Sequence, residues 1–217
     1  DVPPPPAGMT YKNAAAGLPL GGGKAVIIAD PATQKTPDLL RAFGRAIESL
    51  KGQYFTAEDM GVSPEDMSVI GEETAYVAGL PAGEFASGDP SPITARGIFN
   101  AVRTTHAARH GSSDLTGRSV SLQGLGHVGW HLAGLLRQAG ANLIVTDIDP
   151  VRVAAAVKAF DATPVALDAI YGVEADIFAP CAIGDILNDQ TIPQLRTSIV
   201  AGGANNQLAH SIVGDEL

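Results

Sequence analysis

The stretch Ser119-Val120-Ser121-Leu122-Gln123-Gly124-Leu125-Gly126-His127-Val128-Gly129 decides the fold. Its first five residues read as a short apolar strand, and Val128 to Ala139 follow with helical spacing. A glycine loop between a strand and a helix suits a dinucleotide. Gly124 permits the tight turn, Gly126 lets backbone approach a pyrophosphate, and Gly129 lets the helix pack closely on the strand. The free N–H groups at the helix start, from His127 and Val128 onward, face the phosphates with a partial positive charge. The next strand, Asn142-Leu143-Ile144-Val145-Thr146-Asp147, ends on a carboxylate. At that place Asp147 accepts hydrogen bonds from ribose hydroxyls and repels a 2′-phosphate, which favours NAD over NADP.

Working outward, Asp149-Pro150 caps the following helix, and apolar runs at 176–179 and 198–201 continue a β–α alternation. Such alternation predicts an α/β fold with a doubly wound parallel sheet of Rossmann type. Upstream, Thr94 to His110 is helical in pattern. The breaker cluster Gly88-Asp89-Pro90-Ser91-Pro92 marks a boundary between a first domain, residues 1–90, and a second, residues 91–217.

The first domain reads as a smaller α/β unit. Ala25 to Ala29, between Gly21–Gly23 and Asp30-Pro31, predicts a buried strand that Lys24 begins. Thr36-Pro37 caps a helix running to Leu50, Gln53 to Thr56 predicts a second strand, and Ser63 caps a helix over 64–71. Asp1 to Gly8, with four consecutive prolines, reads as a polyproline II stub. Lys12 and Lys24 both lie among small uncharged residues, an unusual setting for lysine. An ammonium in an apolar pocket needs a partner and titrates lower, as a proton-transferring lysine must. Asp59 is the candidate carboxylate. The alternative, that both lysines are solvated at loop tips, stays open at this level.

The net charge of −9 and the absence of a basic stripe argue against nucleic acid as a partner. No apolar run reaches the roughly 20 residues needed to span a bilayer, and the N-terminus lacks the pattern of a secretion signal. The single cysteine, Cys181, excludes an intramolecular disulfide and fits a reducing, cytoplasmic setting. No membrane partner and no metal site are expected.

Several blocks also carry a resemblance. They are Met9-Thr10-Tyr11-Lys12, Leu20-Gly21-Gly22-Gly23-Lys24, Thr56-Ala57-Glu58-Asp59, Pro90-Ser91-Pro92-Ile93-Thr94, Gly124 to Gly129, Ala179-Pro180-Cys181-Ala182-Ile183-Gly184 and Gly203-Ala204-Asn205-Asn206. In this order they resemble the motifs of the glutamate/leucine/phenylalanine/valine dehydrogenases, with Thr56–Asp59 and Glu72-Glu73-Thr74 most similar to the leucine and valine enzymes. The resemblance implies NAD-dependent oxidative deamination of an L-amino acid, leucine, valine or isoleucine, and the reverse reductive amination. It implies that Lys12 binds the substrate carboxylate, that Lys24 polarises the carbonyl and activates water, and that Asp59 is the acid/base. Met9 and Ala57 would line the side-chain pocket. Thr94, Asn205 and Asn206 would position the nicotinamide and its ribose, and Cys181, Ala182 and Ile183 would lie along the adenosine. It further implies that the first domain binds substrate and forms a homo-oligomer, and that both ends of the chain are shorter than in the family. A shortened relative that binds NAD or assembles without turnover is the alternative.

Overall fold

The computed structural model describes residues 7–83, 86–210 and 214. The polyproline reading of the N-terminus falls largely outside them, although Ala7 and Gly8 already belong to a helix. The chain forms two compact units, Asp1–Pro90 and Ser91–Leu217.

The second unit holds a five-stranded parallel sheet. Its elements are α4 (Ser91–His110), β1 (Ser119–Gln123), α5 (His127–Gln138), β2 (Asn142–Thr146), α6 (Pro150–Phe160), β3 (Thr163–Pro164), β4 (Ile177–Pro180) and β5 (Ile199–Val200), preceded in the first unit by α1 (Ala7–Ala15), α2 (Pro37–Ser49) and α3 (Pro64–Gly71). The strand order is β3-β2-β1-β4-β5. β1 therefore lies at the point where the connections switch direction, the place at which doubly wound sheets bind ligands. The register, with Gln123 beside Thr146 and Pro180, brings the carboxyl ends of β1, β2 and β4 level.

Burial explains the strands' composition. Val120 and Leu122 of β1 and Leu143 and Val145 of β2 enter one core with Leu132, Ala133 and Leu136 of α5 and Val102 of α4. Phe178 of β4 packs in a separate cluster with Ile170, Ile186 and Leu187. With both faces covered, the strands need no polar alternation. α6 starts where Asp149 accepts from Val151 N and Pro150 occupies the first turn; it ends at Asp161, whose φ of 54° breaks the helix.

At the opposite end of the sheet Asp176 ties β4 to β1. Its Oδ2 accepts from Ser119 N at 2.8 Å and Ser119 Oγ at 2.9 Å, and its Oδ1 accepts from Arg118 Nη1 at 3.3 Å. Burial pushes this carboxyl up, but the Ser119 amide and hydroxyl and the Arg118 guanidinium outweigh it and hold it below the ordinary carboxylate range. A group depressed in the native state contributes stability that is full above its unfolded value and is lost as pH falls through its native value. Asp176→Ala should destabilise the second unit by about 2–3 kcal/mol, as expected for hydrogen bonds to a charged group. In denaturant melts the gap from wild type should close as pH drops below the ordinary carboxylate range; a gap constant with pH would refute this account.

In the first unit α2 and α3 fold as their caps predict. Thr36 Oγ1 accepts from Leu39 N, and Ser63 with Asp66 forms a reciprocal capping box. Leu40, Met67 and Ile70 form their shared core. Gly44 is required there, since a Cβ would lie 2.7 Å from the Ile70 carbonyl oxygen.

The two strands expected in this unit are corrected. Residues 24–29 have no regular structure, and Val26 and Ile28 are 59% and 99% exposed. A β-branched run becomes a strand by pairing, and no described residue supplies a ladder to this one. Residues 53–56 contribute an isolated parallel bridge, Thr56 to Val77. Thr56 N donates to Tyr76 O at 3.0 Å and Ala78 N to Thr56 O at 2.8 Å. Among the described residues no helix is long and apolar enough to cross a membrane.

Candidate active site

The first unit assembles the charged set. Met9 and Lys12 lie three residues apart on α1, a helix that the residue pattern did not announce. Its end is a Schellman motif: Gly17 takes φ 69° and donates to Ala14 O, while Leu18 N donates to Asn13 O. Asn13 Nδ2 then donates to Gly21 O at 2.6 Å, which ties α1 to the triple glycine. Within that triple, Gly21 is open around a Cβ whereas Gly23 is under steric demand. A Cβ there would lie 2.6 Å from Tyr54 Cε2 and 2.7 Å from its Cδ2, so the backbone abuts this edge of the Tyr54 ring. Asn13 and Tyr54 were missed at the level of sequence; both act by tertiary contact.

Lys24 follows this contact and its ammonium is hydrogen-bonded to Asp59 Oδ2. Asp59 Oδ1 accepts from Met60 N at 2.9 Å. Burial pushes the Asp59 carboxyl up; the Lys24 hydrogen bond, the Met60 amide and the charges of Lys24 and Lys12 together hold it below the usual range. Lys12, Lys24 and Asp59 thus form one electrostatic group. Lys24 begins no strand, contrary to expectation, and its side chain is 38% exposed, which lies between the apolar pocket and the solvated loop tip left open above. Met9 is partly buried, and Ala57 is exposed beside the Thr56 bridge.

The second unit builds a cradle at the carboxyl ends of β1, β4 and β5. Gly124 has φ 96°, and a Cβ on it would lie 2.8 Å from Ala182 N, so the loops after β1 and β4 touch there. A Cβ on Gly129 would lie 2.0 Å from Gly124 O. Gly126, the N-cap of α5, differs: a Cβ would meet nothing nearer than Arg152 Nη1 at 3.8 Å. Close packing does not demand this glycine, and a molecule lying on open backbone would. His127 is exposed and Val128 partly buried at the start of α5. Asp147 leans over the loop, with Oδ2 accepting from Leu125 N at 2.5 Å and Oδ1 from Asp149 N at 2.8 Å.

Asn205 and Asn206 are exposed after β5, and their backbone crowds Gly184, where a Cβ would meet the Asn205 carbonyl oxygen at 2.7 Å. Gly202 was missed by sequence reasoning, and Gly203 entered it only as the first residue of a motif block. A Cβ at Gly202 would lie 2.1 Å from Pro180 O, and one at Gly203 2.2 Å from Ile98 Cδ1. The paired glycines directly before Ala204-Asn205 were the available signal. Thr94 is exposed on the first turns of α4, and Ala182 and Ile183 are exposed beside the cradle.

Cys181 is packed behind the glycine loop. Burial, only partly offset by a hydrogen bond from the Gly203 amide, raises its thiol to about 11. It should therefore react with iodoacetamide on the order of 10²-fold more slowly than free cysteine at neutral pH, and at the normal rate in denaturant. Rapid native-state alkylation would contradict its placement.

A parallel sheet switching at β1, with a glycine loop at its carboxyl end, defines a doubly wound α/β protein of Rossmann type. The comparisons narrow the class. Residues 6–76 match the model of the Glu/Leu/Phe/Val dehydrogenase dimerisation domain. The chain is 52% identical over 208 residues to the leucine dehydrogenase of Geobacillus stearothermophilus, covering 96% of this chain and 57% of that protein. It is 48% identical over 201 residues to the L-tryptophan dehydrogenase of Nostoc punctiforme, covering 93% and 56%. The crystal structure of the Nostoc punctiforme L-tryptophan dehydrogenase superposes with a TM-score of 0.74 at 44% identity, over 97% of this chain and 59% of that one. The chain thus matches the Glu/Leu/Phe/Val dehydrogenase family model over residues 6–76 and is similar to amino-acid dehydrogenases along nearly all of its own length, and it spans a little over half the length of the relatives it matches.

Proposed function

We propose that the chain carries the substrate and cofactor machinery of an NAD-dependent L-amino-acid dehydrogenase acting on aliphatic side chains. The observation that carries this reading is the Lys24–Asp59 pair, with the charge of Lys12 acting on the same carboxylate.

The resemblance assigns each residue a part that its chemistry allows. Lys12 binds the substrate carboxylate. Asp59, held ionised, accepts a proton from the substrate ammonium in deamination and returns it to nitrogen in the reverse direction. Lys24 stabilises negative charge developing on the carbonyl oxygen and orients the attacking water, the electrostatic contribution expected of a fixed cation. Met9 and Ala57 line the side-chain site with apolar surface, which suits leucine, valine or isoleucine and leaves a second carboxylate without a partner.

Residues of the second unit hold the cofactor. Gly124, Gly126 and Gly129, with the amides at His127 and Val128, take the diphosphate, and Asp147 takes the adenosine ribose. Cys181, Ala182 and Ile183 flank the adenosine side, while Thr94, Asn205 and Asn206 position the nicotinamide end. The bound nicotinamide supplies the two-electron oxidation of the α-carbon and, in reverse, its reduction. Exposed apolar side chains of the first unit, Tyr11, Leu20, Val26 and Ile28 among them, support assembly into a homo-oligomer. We place the protein in the cytoplasm, with neither nucleic acid nor membrane as a partner.

The test is a steady-state assay of oxidative deamination across leucine, valine, isoleucine, phenylalanine and glutamate, with binding titrations of NAD and NADP. Leucine or valine should exceed glutamate in kcat/KM, and NAD should bind at least tenfold more tightly than NADP, since a carboxylate facing a 2′-phosphate is unfavourable. A preference for glutamate or equal affinity for both dinucleotides would overturn the respective assignment. Binding of NAD with no turnover on any amino acid would make the chain a dinucleotide-binding relative instead.

A further inference from the structure

The dinucleotide cradle is short of cations. Gly124 to Gly129 contains no lysine or arginine, Asp147 and Asp149 stand beside it, and the chain carries a net charge of −9. A diphosphate approaching this loop meets backbone amides and two carboxylates. The nearest side-chain atom to the open space over Gly126 belongs to Arg152, whose Nη1 lies 3.8 Å from the position of a Cβ on that glycine.

Arg152 is held there from below. Its Nε pairs with Asp149 Oδ2 at 3.4 Å, and the two side chains are 50% and 41% exposed. Asp149 cannot follow the arginine away, because its Oδ1 caps α6 through Val151 N at 2.9 Å and its own N–H donates to Asp147 at 2.8 Å. Pro150 stiffens the same turn. The guanidinium is thus anchored on its Nε edge, while Nη1 leans toward the loop. A planar cation with donors to spare, presented over the one loop glycine that packing does not require, matches a phosphate oxygen.

We propose that Arg152 is a further cofactor-binding residue, whose guanidinium, steered by Asp149, neutralises the diphosphate of the dinucleotide over Gly126; this rests on the dinucleotide reading given above. The nearness of the guanidinium to Gly126, the loop glycine that packing leaves open, favours the diphosphate over a ribose 2′-phosphate. The bland role, a helical surface pair with Asp149, would add little to binding.

The experiment uses the full chain and three variants, Arg152→Ala, Arg152→Lys and Gly97→Ala, the last an exposed α4 position away from the loop. Calorimetry measures ADP and adenosine 2′,5′-bisphosphate at low salt, with a denaturation midpoint for each protein. Arg152→Ala should weaken ADP about tenfold with an unchanged midpoint, Arg152→Lys should lie between alanine and wild type, and Gly97→Ala should bind as wild type. The bisphosphate should lose less than ADP. Unchanged ADP affinity in Arg152→Ala, with ADP bound by wild type, overturns this inference and leaves the dinucleotide reading standing. A larger loss for the bisphosphate than for ADP moves the guanidinium to the ribose and also overturns it. A folded wild type that does not bind ADP overturns both readings together.

Discussion

Lys24→Ala should lower kcat by on the order of 10²-fold or more while leaving NAD affinity within about twofold, as expected when a preorganised charge-stabilising group is removed. Lys24 pairs with Asp59 directly after Gly23, whose backbone abuts the edge of the Tyr54 ring. The glycine cradle belongs to the other unit, Ser91–Leu217, and loses nothing in this variant. Turnover and NAD binding should be measured on one preparation, with a denaturation midpoint to exclude unfolding. The midpoint should move little, because the pair is partly solvated and exposed ion pairs contribute little to stability. If the variant keeps its kcat, the central role assigned to Lys24 fails. Lys24→Arg sharpens the result, since a broader, strongly basic head should not restore the rate merely by keeping the charge.

The second large effect is expected at Gly124. A side chain there faces two independent obstacles: φ is 96°, and a Cβ would come within 2.9 Å of backbone atoms of Cys181 and Ala182. Gly124→Ala should cost about 1–3 kcal/mol in strain and displacement. It should also weaken NAD by at least tenfold, because the loop after β1 and the loop after β4 must part. Gly97 provides the contrast. Its helical position in α4 is open to within 4 Å, so Gly97→Ala should stabilise the protein by about 0.5–1 kcal/mol through helix propensity alone. Equal behaviour of the two variants in thermal melts and NAD titration would remove the reason offered for Gly124.

The contrast between these glycines shows where sequence reading reaches its limit. Gly124, Gly126 and Gly129 were legible because their meaning is local: a strand before them, a helix after them, and Asp147 at the end of the next strand. Their separate jobs are visible only in space. Gly129 is required by Gly124 O, Gly124 by the β4 loop, and Gly126 by no atom of the protein at close range. The cap at Asp149-Pro150 was legible in the same way, but the approach of Arg152 to Gly126 is visible only in space.

The sequence by itself determined the elements whose signals are short-range. These are the caps at Thr36, Ser63 and Asp149, the period of α2 and α5, and the buried parallel strands β1, β2 and β4 within a residue or so of their ends. Tertiary structure decided the rest. Ala25 to Ala29 has the composition of a strand and is not one, because a strand is a pairing and its partner is a matter of what lies alongside. The association of Lys12, Lys24 and Asp59 goes with Asn13 holding Gly21 and with the Tyr54 ring edge against Gly23. Those contacts join residues 8 and 31 positions apart, and spacing along a chain carries no information about which distant side chain will fill the space beneath a glycine.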